Sequence, residues 1–335
     1  MISSTSINYK FPSNIGIVLC GHGSRDPQAV EEFVNVVNRI KSRIPNVPVA
    51  FGFLEFNRPI INEALDQLKN MGVERVIALP AMLFAAGHTK NDIPAVLNKY
   101  SADNGLPIQY GRELGLNSLM IGAAGARLKE IIDSNPIFPI SETLLVVAGR
   151  GSSDPDANSN VCKITRMLVE GFGFGWGETV FSGVTFPLVD PGLRHVLKLG
   201  FKRVILLPYF LFSGVLVSRV RDHSIRVAND NPDVQFLNAS YLSDQDLVID
   251  TFMERIHEVF NGENFMNCAL CKYRSNLLGF ESEVGYEQVS HHQHVEGCLD
   301  IPLESKSHEH SHEHIPYPHA EHPLGPVTLR SSKKS

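Results

Sequence analysis

Two segments of this 335-residue chain are written twice, and that repetition limits the possible folds more than any other feature. "VLCGHGSRDP" returns later as "VVAGRGSSDP", and "RVIALPAMLFAAG" returns as "RVILLPYFLFSGV". Gly21 and Gly149 stand 128 residues apart, and so do Pro80 and Pro208. A common offset marks a duplicated unit of roughly 125 residues. With 43% hydrophobic and 20% charged residues, the chain has material for two globular domains, each with its own core.

Each unit alternates short apolar runs with helical patterns. In the first, Ile15–Leu19, Val47–Leu54, Arg75–Leu79 and Leu106–Tyr110 read as strands, being apolar, short and bounded by Gly or Pro. Between them, Pro27–Ile44, Pro59–Asn70, Lys90–Tyr100 and Asn117–Ile132 space their apolar residues by three and four. Asp26 or Ser24 is placed to cap the first helix, with Pro27 in its opening turn. The second unit repeats the strands at Leu144–Ala148, Thr179–Val184, Arg203–Leu207 and Val234–Leu237. Such alternation predicts an α/β fold: two tandem duplicated domains, each a parallel sheet with helices on both faces. The units are assigned to residues 1–135 and 136–260, and the polar, histidine-rich remainder, 261–335, is expected to be poorly ordered. "GFGFGWG" at 171–177 precedes a strand where a phosphate loop would follow one, and reads as a flexible connection.

The polar opening "MISSTSINYKFPSN" has no apolar segment of the export type, and no membrane-spanning apolar run occurs, so a cytoplasmic location without membrane attachment is expected. A net charge of −6 argues against a nucleic-acid partner. Five unevenly spaced cysteines in a chain read as unexported favour metal or cluster binding over a disulfide framework.

His22 follows the first strand, Glu55 the second and His88 the third, at intervals of 33 residues each. All three then point to the carboxyl edge of the sheet, where open α/β sheets bind ligands. Two imidazoles and a carboxylate suit a divalent transition ion such as cobalt, nickel or iron. The second unit places Arg150, Gly183 and Leu216 at the equivalent positions, so every candidate ligand is replaced there. One half is read as carrying the chemistry and the other as shaping a wall of the cleft. Glycines on both sides of His22 would let a flat ligand approach the backbone closely.

"GHGSRDPQA", "LPAMLFAAGHTKNDIP" and the degenerate repeat resemble the sirohydrochlorin cobaltochelatase family in its long tandem form. The resemblance implies a class II chelatase that inserts Co2+ into sirohydrochlorin without nucleotide, on the anaerobic branch of cobalamin synthesis. It implies that His22 and His88 hold the metal and that Glu55 is their acidic partner. The long form also carries a Met-x-Cys-x-x-Cys motif associated with an iron–sulfur cluster, matched by Met266, Cys268 and Cys271, and a histidine-rich stretch, matched from His291 to His322. Read from the residues alone, Cys268 and Cys271 suit half a zinc knuckle, a redox pair or cluster ligands. Cys298 is the only other tail cysteine, so a cubane would need a further ligand from a histidine, a small molecule or a second subunit of a homo-oligomer.

Metallation removes two N–H protons from the macrocycle while water leaves the ion, and histidine can serve either as ligand or as base. Sirohydrochlorin carries many carboxylates, so cations near the strand ends are candidate partners: Arg25, Arg150, Arg219 and Arg221, with Arg58 and Lys90 beside them. The alternatives are insertion of iron or nickel, and a non-enzymatic cobalt or nickel store that uses the tail.

Overall fold

The apolar run before His22 forms β1 (Ile15–Gly21), buried along its whole length. Such unbroken burial belongs to a central strand of a parallel sheet, covered on both faces. In the computed structural model, which describes residue 12 and residues 14–263, β1 pairs with β2 (Val49–Phe53) and β3 (Arg75–Pro80). β4 (Ile108–Tyr110) adds to β3, giving the parallel order β2-β1-β3-β4. The second repeat builds the same sheet from β5 (Thr143–Gly149), β6 (Trp176–Phe181), β7 (Arg203–Pro208) and β8 (Gln235–Asn238), in the order β6-β5-β7-β8. Even the register repeats: Cys20 lies opposite Pro80, and Ala148 opposite Pro208. The α/β fold with two parallel sheets is therefore as the sequence implied.

Among the described residues eight α-helices follow the strands: α1 (Pro27–Arg43), α2 (Ile61–Asn70), α3 (Ile93–Asn104), α4 (Ser118–Asp133), α5 (Pro155–Phe172), α6 (Val189–Val196), α7 (Val215–Asn229) and α8 (Asp246–Phe260). Asp26 caps α1 by accepting from the Gln28 N–H, and Asp154 caps α5 by accepting from the Asp156 N–H, each ahead of a proline in the first turn. Strand limits differ from the sequence reading by up to three residues, most in β6, which runs Trp176–Phe181 where Thr179–Val184 was expected, and two helix starts differ for a structural reason. α2 starts at Ile61, because Pro59 still accepts from the Phe53 N–H at 2.8 Å and holds this stretch against β2. The third helix opens as a π-helical turn over His88–Asp92 before continuing as α3. The "GFGFGWG" stretch is not a loose connection: it is the end of α5, a left-handed Gly173 cap, buried Phe174 and the first residues of β6.

The helices do not all stay with their own sheet. α8, from the second repeat, packs on β3 and α1 of the first, while α4, from the first, packs on β7 and α5 of the second. Equivalent arginines fix both crossings. Arg127 on α4 donates to the carbonyls of Tyr241 and Leu242, and Arg255 on α8 donates to those of Glu113 and Leu114. Each pair is related by the same 128-residue offset. The inner faces of both sheets consequently share one apolar core, in place of the two separate cores the duplication suggested. The outer faces are covered by α2 and α3 on one sheet and by α6 and α7 on the other.

Beside the Arg255 contact, the Glu113 carboxyl is 3% exposed, and its Oε2 has no hydrogen-bond partner among the described residues. Burial pushes its pKa up, against the pull of its own backbone N–H and of Arg112 and Arg255. A carboxyl with a raised folded pKa gives stability that is complete below its unfolded pKa of about 4.3 and is lost as pH rises through the folded value. Glu113→Gln, which stays neutral, is therefore expected to melt above the parent protein in mildly alkaline buffer. That advantage should vanish in acid, and calorimetry at the two pH values checks it.

Candidate metal centre

The two sheets present their carboxyl ends to one cleft of about 530 Å3, lined from both repeats. In the order β2-β1-β3-β4 the connections run in opposite directions from β1, so the crevice of the first sheet opens between β1 and β3. His22 leaves β1 and His88 follows β3 at that switch point. Glu55 comes from the loop after β2, tied to His22 by its own N–H, which donates to the His22 carbonyl at 2.9 Å.

One donor atom from each of His22, Glu55 and His88 lies within 4.8 Å of the others, and this is the one such group among the described residues. Glu55 is buried, while both histidines are partly open to the cleft. His22 Nδ1 lies 2.9 Å from the Gly23 carbonyl oxygen, and His88 Nδ1 lies 2.6 Å from Asp92 Oδ2. Since both oxygens accept, both Nδ1 atoms are assigned the proton and both Nε2 atoms carry lone pairs. Those Nε2 atoms face each other at 3.1 Å. Two acceptors held that close call for a cation or a shared proton between them. With metal–nitrogen bonds of about 2.1 Å, this spacing corresponds to adjacent ligand positions, leaving the far side of an ion open. Burial pulls the His22 pKa down, and His88 and Arg150 add to that, against the Gly23 hydrogen bond and Glu55. Its neutral, ligating form is favoured as a result.

Asp92 escaped the sequence reading. The signal was there in the four-residue spacing His88–Asp92, which puts both side chains on one side of a helical turn. Carboxylates in this place orient a ligating imidazole and raise its basicity.

The glycines beside His22 serve the fold before any ligand. A Cβ on Gly23, whose φ is +95°, would stand 1.8 Å from the Glu55 carbonyl oxygen, and one on Gly21 would press on Phe53 and Phe33. Gly151 repeats the arrangement, with φ +84° and the Gly183 carbonyl at 1.9 Å. The turn is thus a property of the duplicated unit, and the histidine is what distinguishes the first copy from the second.

Arg150 occupies the place of His22 in the second repeat and lines the same cleft. Its side chain opens to solvent there, yet the surrounding walls pull its pKa down while Glu55 acts in the opposite sense. Arg25 also lines the cleft, its guanidinium 5.0 Å from the centre of the Phe56 ring. The other sequence candidates stand elsewhere. Arg219 and Arg221 are exposed on α7 and are absent from the cleft lining. Arg58 pairs with Glu63 at 2.5 Å, and Lys90 is buried with Asp154 and Asp156 behind the wall. Apolar side chains missed from sequence, among them Phe84, Tyr209, Phe210 and Phe212, form much of the remaining surface, with the Phe84 and Tyr209 rings stacked at 5.8 Å. Cys268, Cys271 and the histidine tract lie outside the described residues, as does the expectation of a poorly ordered tail beyond residue 263. No helix among the described residues is long and apolar enough to cross a membrane.

Comparison with known proteins places the fold in a family. A sirohydrochlorin cobaltochelatase of Priestia megaterium is 36% identical over 281 residues, covering 82% of this chain and 87% of that protein. A sirohydrochlorin ferrochelatase of the same organism is 27% identical over 227 residues, covering 67% of this chain and 83% of its own. Among solved structures, SirB from Bacillus subtilis with Fe3+ superposes with a TM-score of 0.66 at 26% identity, covering 75% of this chain and 97% of that one. The sequence profile of the CbiX family matches twice, over residues 16–131 and again over 144–259, the two repeats whose strand ends meet at this cleft. On that double match and the relationship to the cobaltochelatase, the chain belongs to the CbiX family.

Proposed function

We propose that this protein inserts Co2+ into sirohydrochlorin, without nucleotide, in the anaerobic synthesis of cobalamin. The observation that carries the reading is the pair of facing Nε2 lone pairs beside Glu55, in a cleft whose opposite wall presents Arg150. Co2+ is a substrate here, held by His22, His88 and Glu55 on one side and open on the other. The macrocycle enters from the second-repeat side, its carboxylates drawn to Arg25 and Arg150 and its ring laid against the aromatic wall. Glu55 and the imidazoles are the bases nearest the two N–H protons that must leave as the metal enters. Cobalt is preferred because the cobaltochelatase relative is both more similar and more fully covered than the ferrochelatase. Iron is the second reading, since the ferrochelatase still matches across most of its length, and imidazole with carboxylate ranks neighbouring divalent ions by small differences. The Cys268 and Cys271 pair is assigned to an accessory iron–sulfur cluster on its motif alone.

The test is an anaerobic absorbance assay of the purified protein with sirohydrochlorin and Co2+, Fe2+ or Ni2+ in turn. Fastest turnover with Co2+ is expected. Preference for Fe2+ replaces the first reading by the second, and binding of metal without insertion overturns both. In the same assay Arg150→Ala is expected to raise the KM for sirohydrochlorin about tenfold while leaving that for Co2+ nearly unchanged, the signature of lost substrate binding. A KM effect confined to Co2+ would remove Arg150 from the tetrapyrrole side.

A further inference from the structure

Lys90 follows the candidate ligand His88 by two residues on the same π-helical turn, and its side chain is only 5% exposed. Its Nζ lies 2.6 Å from Asp154 Oδ2 and 3.3 Å from Asp156 Oδ2, both largely buried. Asp154 caps α5, four residues beyond Arg150. His88 and Thr89 line one side of the cleft, Arg150, Gly151 and Ser152 line the other, and the ion cluster sits directly behind both turns. Desolvation works against the ammonium, but its two carboxylate partners outweigh it and hold the pKa above the ordinary lysine value.

The internal repeat shows that the fold does not require this bridge. Position 90 becomes Ser218 in the second repeat, and the equivalent aspartate, Asp26, which caps α1, meets the neutral Ser213 hydroxyl across the cleft, at 3.5 Å, in place of an ammonium. The ionic bridge was thus built on one side of the cleft, the side where the candidate metal ligand and the candidate tetrapyrrole-binding arginine face each other. We propose that Lys90 is a positioning residue that fixes the distance between the His88 turn and the Arg150 turn, so that metal and macrocycle are presented to each other in register. The proposal rests on the chelatase reading for its consequence and on the bridge itself for its geometry.

Removing one member alone leaves buried charge uncompensated, so Lys90→Met is paired with the triple variant Lys90→Met, Asp154→Asn, Asp156→Asn. The triple variant leaves no charge in this cluster and retains an asparagine cap on α5. In the full-length protein, hydrogen exchange followed by mass spectrometry is expected to quicken about tenfold in peptides covering both turns of either variant, with the outer helices unchanged. With sirohydrochlorin and Co2+, both variants should lose about tenfold to a hundredfold in kcat. The affinity of the metal-free protein for Co2+, read from the visible absorption of the ion, should stay within about twofold of the parent, as expected where every ligand is retained. Unchanged exchange in both turns overturns the bridge. Faster exchange with unchanged kcat, or equal losses in kcat and Co2+ affinity, overturns its positioning role. If the parent protein inserts no metal at all, the chelatase reading and the positioning role fall together, while the exchange data still decide whether the bridge holds the two turns.

Discussion

Replacing His22 or His88 by alanine is expected to slow metal insertion at least tenfold, about the smallest effect of removing a group that both binds and takes protons, while far-ultraviolet circular dichroism stays that of the parent. The reason is geometric. Each imidazole has its Nδ1 committed, one to Gly23 and the other to Asp92, so each offers a single lone pair through Nε2. With the two Nε2 atoms 3.1 Å apart, loss of either leaves one nitrogen and a carboxylate, too few ligands to hold an ion while it sheds water. Asp92 should grade the effect: Asp92→Asn keeps an acceptor for His88 Nδ1 and is expected to cost less than Asp92→Ala, within the roughly 10- to 100-fold range of groups that orient a ligand. Steady-state rates and the visible spectrum of bound Co2+ measure both. Full activity in well-folded His22 and His88 variants would separate the cleft from the chemistry.

The three donors were legible in sequence because each follows a strand that the apolar pattern marks plainly, and parallel strands of one sheet deliver their ends to one edge. Asp92 was not, because recognising it required knowing that His88 opens a helical turn, and a single histidine after a loop does not announce one. The fate of the cations was also hidden. Arg25, Arg58, Lys90, Arg219 and Arg221 look alike in sequence, yet one lines the cleft, two are exposed on α7, one pairs locally with Glu63, and Lys90 is buried in an ion cluster with the other repeat. Only Arg150 was singled out beforehand by a physical reason, its replacement of a histidine at an equivalent turn.

The fold divides in the same way. Strand order and helix placement within each repeat follow from local alternation, but the exchange of α4 and α8 does not. Both helices have an apolar face of the same kind, and nothing in their periodicity says which sheet each will cover. Arg127 and Arg255 record the exchange, but as single arginines within amphipathic helices they resemble any surface cation. Their burial against backbone carbonyls appears only when both repeats are in place.

Separating the chain between residues 135 and 136 is therefore expected to leave neither half folded as a monomer, even though each contains a complete four-stranded sheet. The first half would lose α8 and with it Val248, Ile249, Phe252, Ile256 and Val259, all at most 3% exposed against its sheet and α1. At about 1.5–3 kcal/mol for each buried side chain, the loss is of order 10 kcal/mol, comparable with the whole stability of an ordinary domain. One route remains open to it. Its own α4 is the counterpart of α8, so two copies could exchange α4, with Arg127 of each copy reaching the carbonyls that Arg255 holds in the intact chain. That substitution fits poorly, because Ala123 and Ala124 would stand where Thr251 and Phe252 stand, and the lost phenylalanine leaves a cavity in a core that tolerates few. A weak dimer that unfolds on dilution is the expected outcome for the first half, and mixing the two halves should restore the native circular dichroism. Light scattering coupled to size-exclusion chromatography over a dilution series distinguishes the cases. A first half that remains a folded monomer at the lowest concentration would mean that α8 is dispensable to the sheet it covers, and that the shared core does not hold the two repeats together.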